Sequence, residues 1–223
     1  MNTTASMQGE RRPIAARDWS LSRRCASLLV DLGISPNAIS LAGMGCGVGA
    51  GVLLAWTVTL AGLEQRLAWA GAALLVLLRL LANMFDGMVA IEGGRVSVTG
   101  ELFNEVPDRI SDAATLIGLG MAASSSLLLG ALAACFALLT AYVRAMGKSL
   151  GAAQDFRGPM AKPQRMAAVI AVALGMACLP AEPIVLAGLG LPALALIVIS
   201  AGAALTTLRR LQTIASFLHQ QRS

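Results

Sequence analysis

Between Asn83 and Asp112 the chain reads NMFDGMVAIEGGRVSVTGELFNEVPDRISD, a stretch that sets carboxylates and carboxamides into otherwise strongly hydrophobic sequence. An ionisable side chain at membrane depth costs about 3 kcal/mol on insertion scales, so several together point to function. On a helix ending near Ile91, the residues Arg79, Asn83, Asp86 and Ala90 fall at i, i+4, i+7 and i+11 and share one face. Past a glycine-bearing turn, Gly100, Asn104, Asp108 and Asp112 recur every four residues and share a slowly drifting face of the next helix. Two such faces at one depth are expected to meet.

The flanking sequence says what surrounds them. With 57% apolar, 13% charged and 4% aromatic residues over 223 positions, the chain lacks the polar surface of a soluble domain. Its apolar stretches repeatedly reach the roughly 20 residues a helix needs to cross the hydrocarbon core. The reading is an all-α polytopic membrane protein with six transmembrane helices near 36–61, 67–91, 100–123, 125–147, 165–181 and 184–207. Residues 1–35 form a cytoplasmic N-terminal segment, 36–207 the membrane domain and 208–223 a cytoplasmic tail.

The first 35 residues are too polar and too rich in arginine for a cleavable signal peptide. Leu21, Cys25, Leu28, Leu29 and Leu32 recur there at helical spacing, with Asp18 as a candidate N-cap. This predicts an amphipathic helix lying on the cytoplasmic leaflet, or one packed on the bundle. Gly33, Pro36 and Asn37 then turn the chain into the first span.

Positive charge collects in alternate segments: Arg11, Arg12, Arg17, Arg23 and Arg24 before span one, Lys148, Arg157, Lys162 and Arg165 between spans four and five, Arg209, Arg210 and Arg222 after span six. Both termini are expected inside. The net charge of +5 is read as topology and attraction to anionic lipid, not to nucleic acid. Cys25, Cys46, Cys135 and Cys178 show no paired spacing and are expected to be free, buried thiols. Gly43, Gly45, Gly47, Gly49 and Gly51 permit close helix approach, within or between chains.

Oxygen ligands from two helices, without histidine or thiolate, suit hard cations such as Mg²⁺ or Mn²⁺. Such ions serve phosphate chemistry, where a spare carboxylate takes the proton of an attacking hydroxyl. Gly87 and Gly100 leave room for a ligand, and Pro107 loosens the helix just before Asp108. Two rival readings are polar glue between helices and a small transporter. Three aspartates exceed what glue needs, and a transporter would spread its carboxylates through the membrane depth.

The spacing resembles the signature of the CDP-alcohol phosphatidyltransferases, six-helix membrane enzymes carrying Asp-x2-Asp-Gly-x2-Ala-Arg-x8-Gly-x3-Asp-x3-Asp. Laid on this chain without a gap, the signature falls on Asn83, Asp86, Gly87, Ala90, Ile91, Gly100, Asn104 and Asp108, and five of the eight positions agree in identity. Pro36, Asn37, Ile39 and Ser40 resemble the family's entry to its first span, and Arg144, Lys162 and Arg165 its basic residues around the fourth and fifth.

The resemblance implies metal-dependent transfer of a substituted phosphate from a CDP-linked donor, usually CDP-diacylglycerol, to a small alcohol with release of CMP, in phospholipid biosynthesis. It further implies a bacterial inner-membrane homodimer and two Mg²⁺ or Mn²⁺ sites. By carry-over Asn83, Asp86, Asn104 and Asp108 stand at the metal-ligand positions, with Asp108 also at that of the general base. Gly87, Ala90 and Gly100 stand at nucleotide-binding positions, while Arg144 and Lys162 are candidates for acceptor or lipid phosphate. Arg79 is a candidate for neutralising the cluster or touching phosphate.

Three departures bear on this. Asn83 and Asn104 keep a carbonyl oxygen but drop two charges, so metal affinity should fall or one tight site remain. Paired replacements of this kind resemble those in a divergent bacterial branch, and Glu105 is placed to restore one charge. Ile91 removes the family's arginine, for which Arg95 is a candidate substitute. A relative that binds nucleotide or lipid with weakened turnover is the alternative function.

Overall fold

Ser35 shows how the bundle begins: its hydroxyl accepts from the Ala38 amide at 3.2 Å, with Pro36 at the first helical position. Gly33 supplies the preceding turn at φ +72°. The computed structural model describes residues 17, 19–94, 99–179 and 189–221. They form seven α-helices and, among the described residues, no strand. In chain order these are α1 Ser20–Asp31, α2 Pro36–Trp56, α3 Gly62–Glu92, α4 Gly100–Met121, α5 Leu127–Ser149, α6 Lys162–Cys178 and α7 Leu191–Gln220. A short 3₁₀ turn, Thr57–Thr59, extends α2.

α2 packs between α3 and α4; α4 continues to α5, α5 to α7, and α3 to α6, with α6 against α7 closing a ring of six. Close approach rests on small residues, as expected where lipid tails remove the hydrophobic drive between helices. Gly43, Gly47 and Gly51 form one stripe of α2: a Cβ on Gly43 would lie 2.8 Å from that of Ala82, one on Gly47 would meet Ser111, and one on Gly51 the carbonyl of Ala114. Gly45 faces open space and Gly49 meets only Leu75. Gly43, Gly47 and Gly51 thus serve packing within the chain. Trp69, Leu54, Leu116, Leu119, Val169 and Ile199 fill the core.

The outer face is apolar. Val52, Leu67, Leu74, Leu128, Val198 and Leu208 all stand exposed. Four stretches are long and apolar enough to cross a membrane, Pro36–Thr59, Gly62–Glu92, Leu127–Ser149 and Leu191–Gln220. The expected six are therefore met by four on length and composition, because α4 carries Glu105, Asp108, Arg109 and Asp112 and α6 has only 17 residues. The last helix begins at Leu191 and runs on to Gln220, beyond the expected end at 207.

α1 lies against α3, burying Ser22 and Ala26, with Ala26 packed among Met84, Met88 and Phe85. Leu21, Leu28 and Leu32 point away from the bundle. The helix follows Trp19 without a side-chain cap; Asp18 lies outside the described residues. All four cysteines are free, as expected, but Cys135 and Cys178 are exposed and Cys25 and Cys46 half-buried. An apolar environment outside the bundle suits a thiol as well as the core does, so sulfur content alone did not distinguish them.

Candidate active site

One end of the bundle collects the polar side chains. Ser40 sits one turn into α2, Asn83 and Asp86 near the end of α3, Asn104 and Asp108 near the start of α4, Arg144 near the end of α5, Lys162 at the start of α6 and Arg210 in the last part of α7. Asp86 and Asp108 are 4% and 6% exposed, a depth at which a lone carboxylate is costly unless partnered.

Asp108 is the most heavily partnered. The guanidinium of Arg79 donates from Nη2 to its Oδ1. The Lys162 ammonium stands 2.6 Å from Oδ2, and Arg109 Nη2 3.6 Å from the same oxygen. The Asn83 amide donates to Asp108 Oδ1 at 3.1 Å and to Asn104 Oδ1 at 3.2 Å. The face predicted on α3 and the face predicted on α4 therefore do meet. Arg79 is fixed further by a 2.7 Å bond from Nε to the Ser111 hydroxyl.

Pro107 leaves α4 continuous from Gly100 to Met121. It has no N–H to offer the preceding turn, while the Ser111 hydroxyl donates to the Pro107 carbonyl at 2.8 Å.

Asp86 is held differently. The Ser40 hydroxyl donates to its Oδ2 at 2.7 Å, whereas Oδ1 is buried without a hydrogen-bond partner. No basic side chain reaches it within ion-pair distance among the described residues, although it feels the charges of Asp108 and Lys162.

Asp112, one turn beyond Asp108, pairs with Arg165 at 3.3 Å, both essentially fully buried. Arg165 also donates to the Met160 carbonyl at 2.9 Å, so the pair ties the segment leading into Lys162 onto α4. Glu105 is engaged by Arg144 and, at 3.3 Å, by Arg109. Its charge is matched there instead of making good the charge lost at Asn104.

Beside this cluster opens a cleft of about 770 Å³, with Arg144, Gln154, Phe156, Arg157, Gln164 and Arg210 in its lining. Arg144 lies over the Phe156 ring, 5.3 Å from its centre. Arg210 donates to the carbonyls of Thr140 at 2.9 Å and Arg157 at 3.3 Å, which shapes the loop. Arg157 pairs with Asp155 at 3.0 Å. Burial pulls the Asp155 carboxyl up, but bonds from the Arg157 side chain and amide outweigh it and hold the group below the usual carboxylate range.

Of the other sequence candidates, Gly87 and Ala90 are half-buried on α3, and Gly100 opens α4. Ile91 is 55% exposed, so that position faces the bundle's exterior. Arg95 lies outside the described residues. Sequence reasoning missed the roles of Ser40, Ser111 and Arg109 and the pairing of Asp112 with Arg165. Ser111 and Asp112 lie three and four residues beyond Asp108, a spacing that gave some signal; Ser40 and Arg165 come from distant helices.

The donor set can be tested against a divalent cation. Only oxygens are present, which suits Mg²⁺ or Mn²⁺, and Asp86 carries a buried oxygen with nothing to bind. Among the described residues no three histidine, cysteine or carboxylate side chains converge as a protein-only metal cage. Mg²⁺ commonly takes one or two carboxylates and completes its shell with water and substrate phosphate, so the residues fit an ion bound together with a phosphorylated ligand.

No family model matches the chain. The archaetidylinositol phosphate synthase of Aeropyrum pernix is 37% identical over 99 residues, covering 44% of this chain and 50% of that protein. The chain thus spans about half the length of the curated relative it matches. The phosphatidylinositol phosphate synthase of Mycobacterium tuberculosis, solved in complex with manganese and citrate, superposes with a TM-score of 0.70 at 22% identity over 86% of this chain and 88% of that one. The same enzyme with CDP-diacylglycerol bound gives 0.70 at 21% identity, covering 86% and 92%. The resemblance carried by the signature is borne out: the chain shares the fold of one phosphatidylinositol phosphate synthase and part of the sequence of an archaetidylinositol phosphate synthase.

Proposed function

We propose that the chain is an integral membrane phosphotransferase that moves a substituted phosphate from a CDP-linked donor, CDP-diacylglycerol in the first instance, to a small alcohol with release of CMP. What carries this reading is the meeting of Asp86 and Asp108 across α3 and α4 at signature spacing, at the end of the bundle where the arginine-lined cleft opens.

The acceptor hydroxyl attacks the phosphorus on the lipid side of the diphosphate. A new P–O bond forms, the bond to the bridging oxygen breaks with its electrons leaving on CMP, and the hydroxyl proton passes to Asp108. Lys162 and Arg79, both held against Asp108, are placed to meet the phosphate's negative oxygens. Arg144 and the cleft beside it suit an anionic acceptor. Asp86, with the amide oxygens of Asn83 and Asn104, would hold a divalent ion, whose chemistry is to neutralise charge on the donor's phosphates. Gly87, Ala90 and Gly100 line the nucleotide in this reading. Little beyond positioning and charge is required of the protein for an in-line transfer.

In the same reading all six ring helices cross a bacterial inner membrane, α1 rests its outward leucines on the cytoplasmic leaflet, and both termini lie inside with the site. A homodimer fits the resemblance. The hydrogen bonds of Asn83 to Asp108 and Asn104 favour a second reading, a binding relative of weakened turnover, since an amide stands where an aspartate would bring charge.

Release of CMP from CDP-diacylglycerol by the purified protein with a panel of alcohols decides between them, run with Mg²⁺, Mn²⁺ or chelator and beside Asp86→Ala and Asp108→Ala. Metal-dependent release abolished by both substitutions is expected. Absence of release with every acceptor, with nucleotide still bound, would select the binding relative.

A further inference from the structure

Four acidic side chains of the cluster, Asp86, Glu105, Asp108 and Asp112, are not equivalent in their company. Asp108 has Lys162 at 2.6 Å, Arg79 and Arg109; Asp112 has Arg165 at 3.3 Å; Glu105 has Arg144 and Arg109. Among the described residues Asp86 alone of these four has no cationic side chain within ion-pair distance. One oxygen of Asp86 and one of Asp112 are buried without a hydrogen-bond partner, but the other oxygen of Asp112 is paired with Arg165, so only Asp86 combines a partnerless oxygen with a missing counter-charge. A buried carboxylate lacking a counter-charge is strongly disfavoured, and a carboxylate already surrounded by fixed cations repels a further one.

We propose that this chain seats a single divalent cation, on Asp86, and that Lys162 with Arg79 takes by fixed side-chain charge the place of a second ion at Asp108. The inference rests on the transferase reading for its substrate but concerns the chain's own charge pattern. Lys162 is the first residue of α6 and is clamped there by the Arg165–Asp112 pair, so its ammonium is held on Asp108 instead of sweeping the cleft. The two asparagines belong to the same pattern: aspartate at 83 and 104 would add two negative charges, the equivalent of one further divalent ion, and asparagine at both positions removes that demand.

The test counts Mn²⁺ on the full-length protein in detergent micelles containing CDP-diacylglycerol, from the electron paramagnetic resonance signal of free Mn²⁺ and from metal analysis after desalting. One tightly bound Mn²⁺ per chain is expected. Asp86→Asn should lose it, Asp108→Asn should keep it, Lys162→Arg should stay at one, and Lys162→Ala should take up a second. Two ions on the unaltered chain, a count unmoved by Lys162→Ala, or loss of the ion in Asp108→Asn with retention in Asp86→Asn would each overturn the proposal. The Asp86 and Asp108 pair decides the matter even where Lys162→Ala fails to fold. One bound ion with no CMP release from any alcohol would sink the transferase reading and leave this one standing, and CMP release with two bound ions would do the reverse.

Discussion

Ser40 on α2 donates its hydroxyl to Asp86 on α3 at 2.7 Å, a contact between residues 46 positions apart that fixes one oxygen of the carboxylate and leaves the other bare. Ser40→Ala removes the donor without enlarging the side chain. A hydrogen bond to a charged group contributes about 1.5–3 kcal/mol, so the thermal midpoint in detergent should fall, and more than in Ser40→Ala made on an Asp86→Asn background. Equal losses in both backgrounds would mean the hydroxyl acts elsewhere.

Among the described residues Asp112 and Arg165 form the most deeply buried ion pair. Breaking such a pair from one side leaves an uncompensated charge and costs about 3–5 kcal/mol, whereas replacing both partners by apolar residues is close to neutral. Asp112→Leu and Arg165→Met should each unfold at clearly lower temperature than the double variant. Because Arg165 also holds the Met160 carbonyl, the double variant should stay folded yet lose activity as Lys162 comes loose.

Gly51 and Gly45 lie on different faces of α2, one against α4 and the other open. A methyl group on Gly51 would drive into the backbone of α4, and overpacking of this kind costs about 1–3 kcal/mol. Gly45→Ala meets nothing within 4 Å and should be neutral or slightly stabilising through helix propensity. Melting curves of the two variants test whether the stripe packs helices of one chain.

Among activity variants, Asp108→Ala should lower CMP release by about 100-fold or more, the usual worth of a positioned general base. Arg144→Ala should instead raise the KM of an anionic acceptor by roughly tenfold with a smaller change in kcat, consistent with one lost charge-assisted contact. A fall in kcat alone would place Arg144 in supporting Glu105, not in binding the acceptor.

Spacing carried much of the site. Residues three or four apart on a helix share a face, so Asn83 with Asp86 and Asn104 with Asp108 were legible before any contact was known. Helix positions followed from hydrophobic runs and from the turn signals at Gly33 and Pro36. The ends were less legible: α7 outruns its expected boundary to Gln220, because a helix continues past the apolar stretch where its polar residues find partners, as Arg210 does on the Thr140 and Arg157 carbonyls.

By itself the sequence determined that the chain is helical and apolar on its outer face, and that one cluster of carboxylates and amides sits at signature spacing. Only the tertiary structure decided how the charges are shared. Lys162, Arg79 and Arg109 go to Asp108, Arg165 to Asp112 and Arg144 to Glu105, while Asp86 receives a serine hydroxyl and keeps one oxygen free. Period and composition are local properties that each helix carries in its own residues. Which cation reaches which carboxylate depends on distances between helices far apart in the chain, and those are set by how glycine, alanine and serine let the backbones approach.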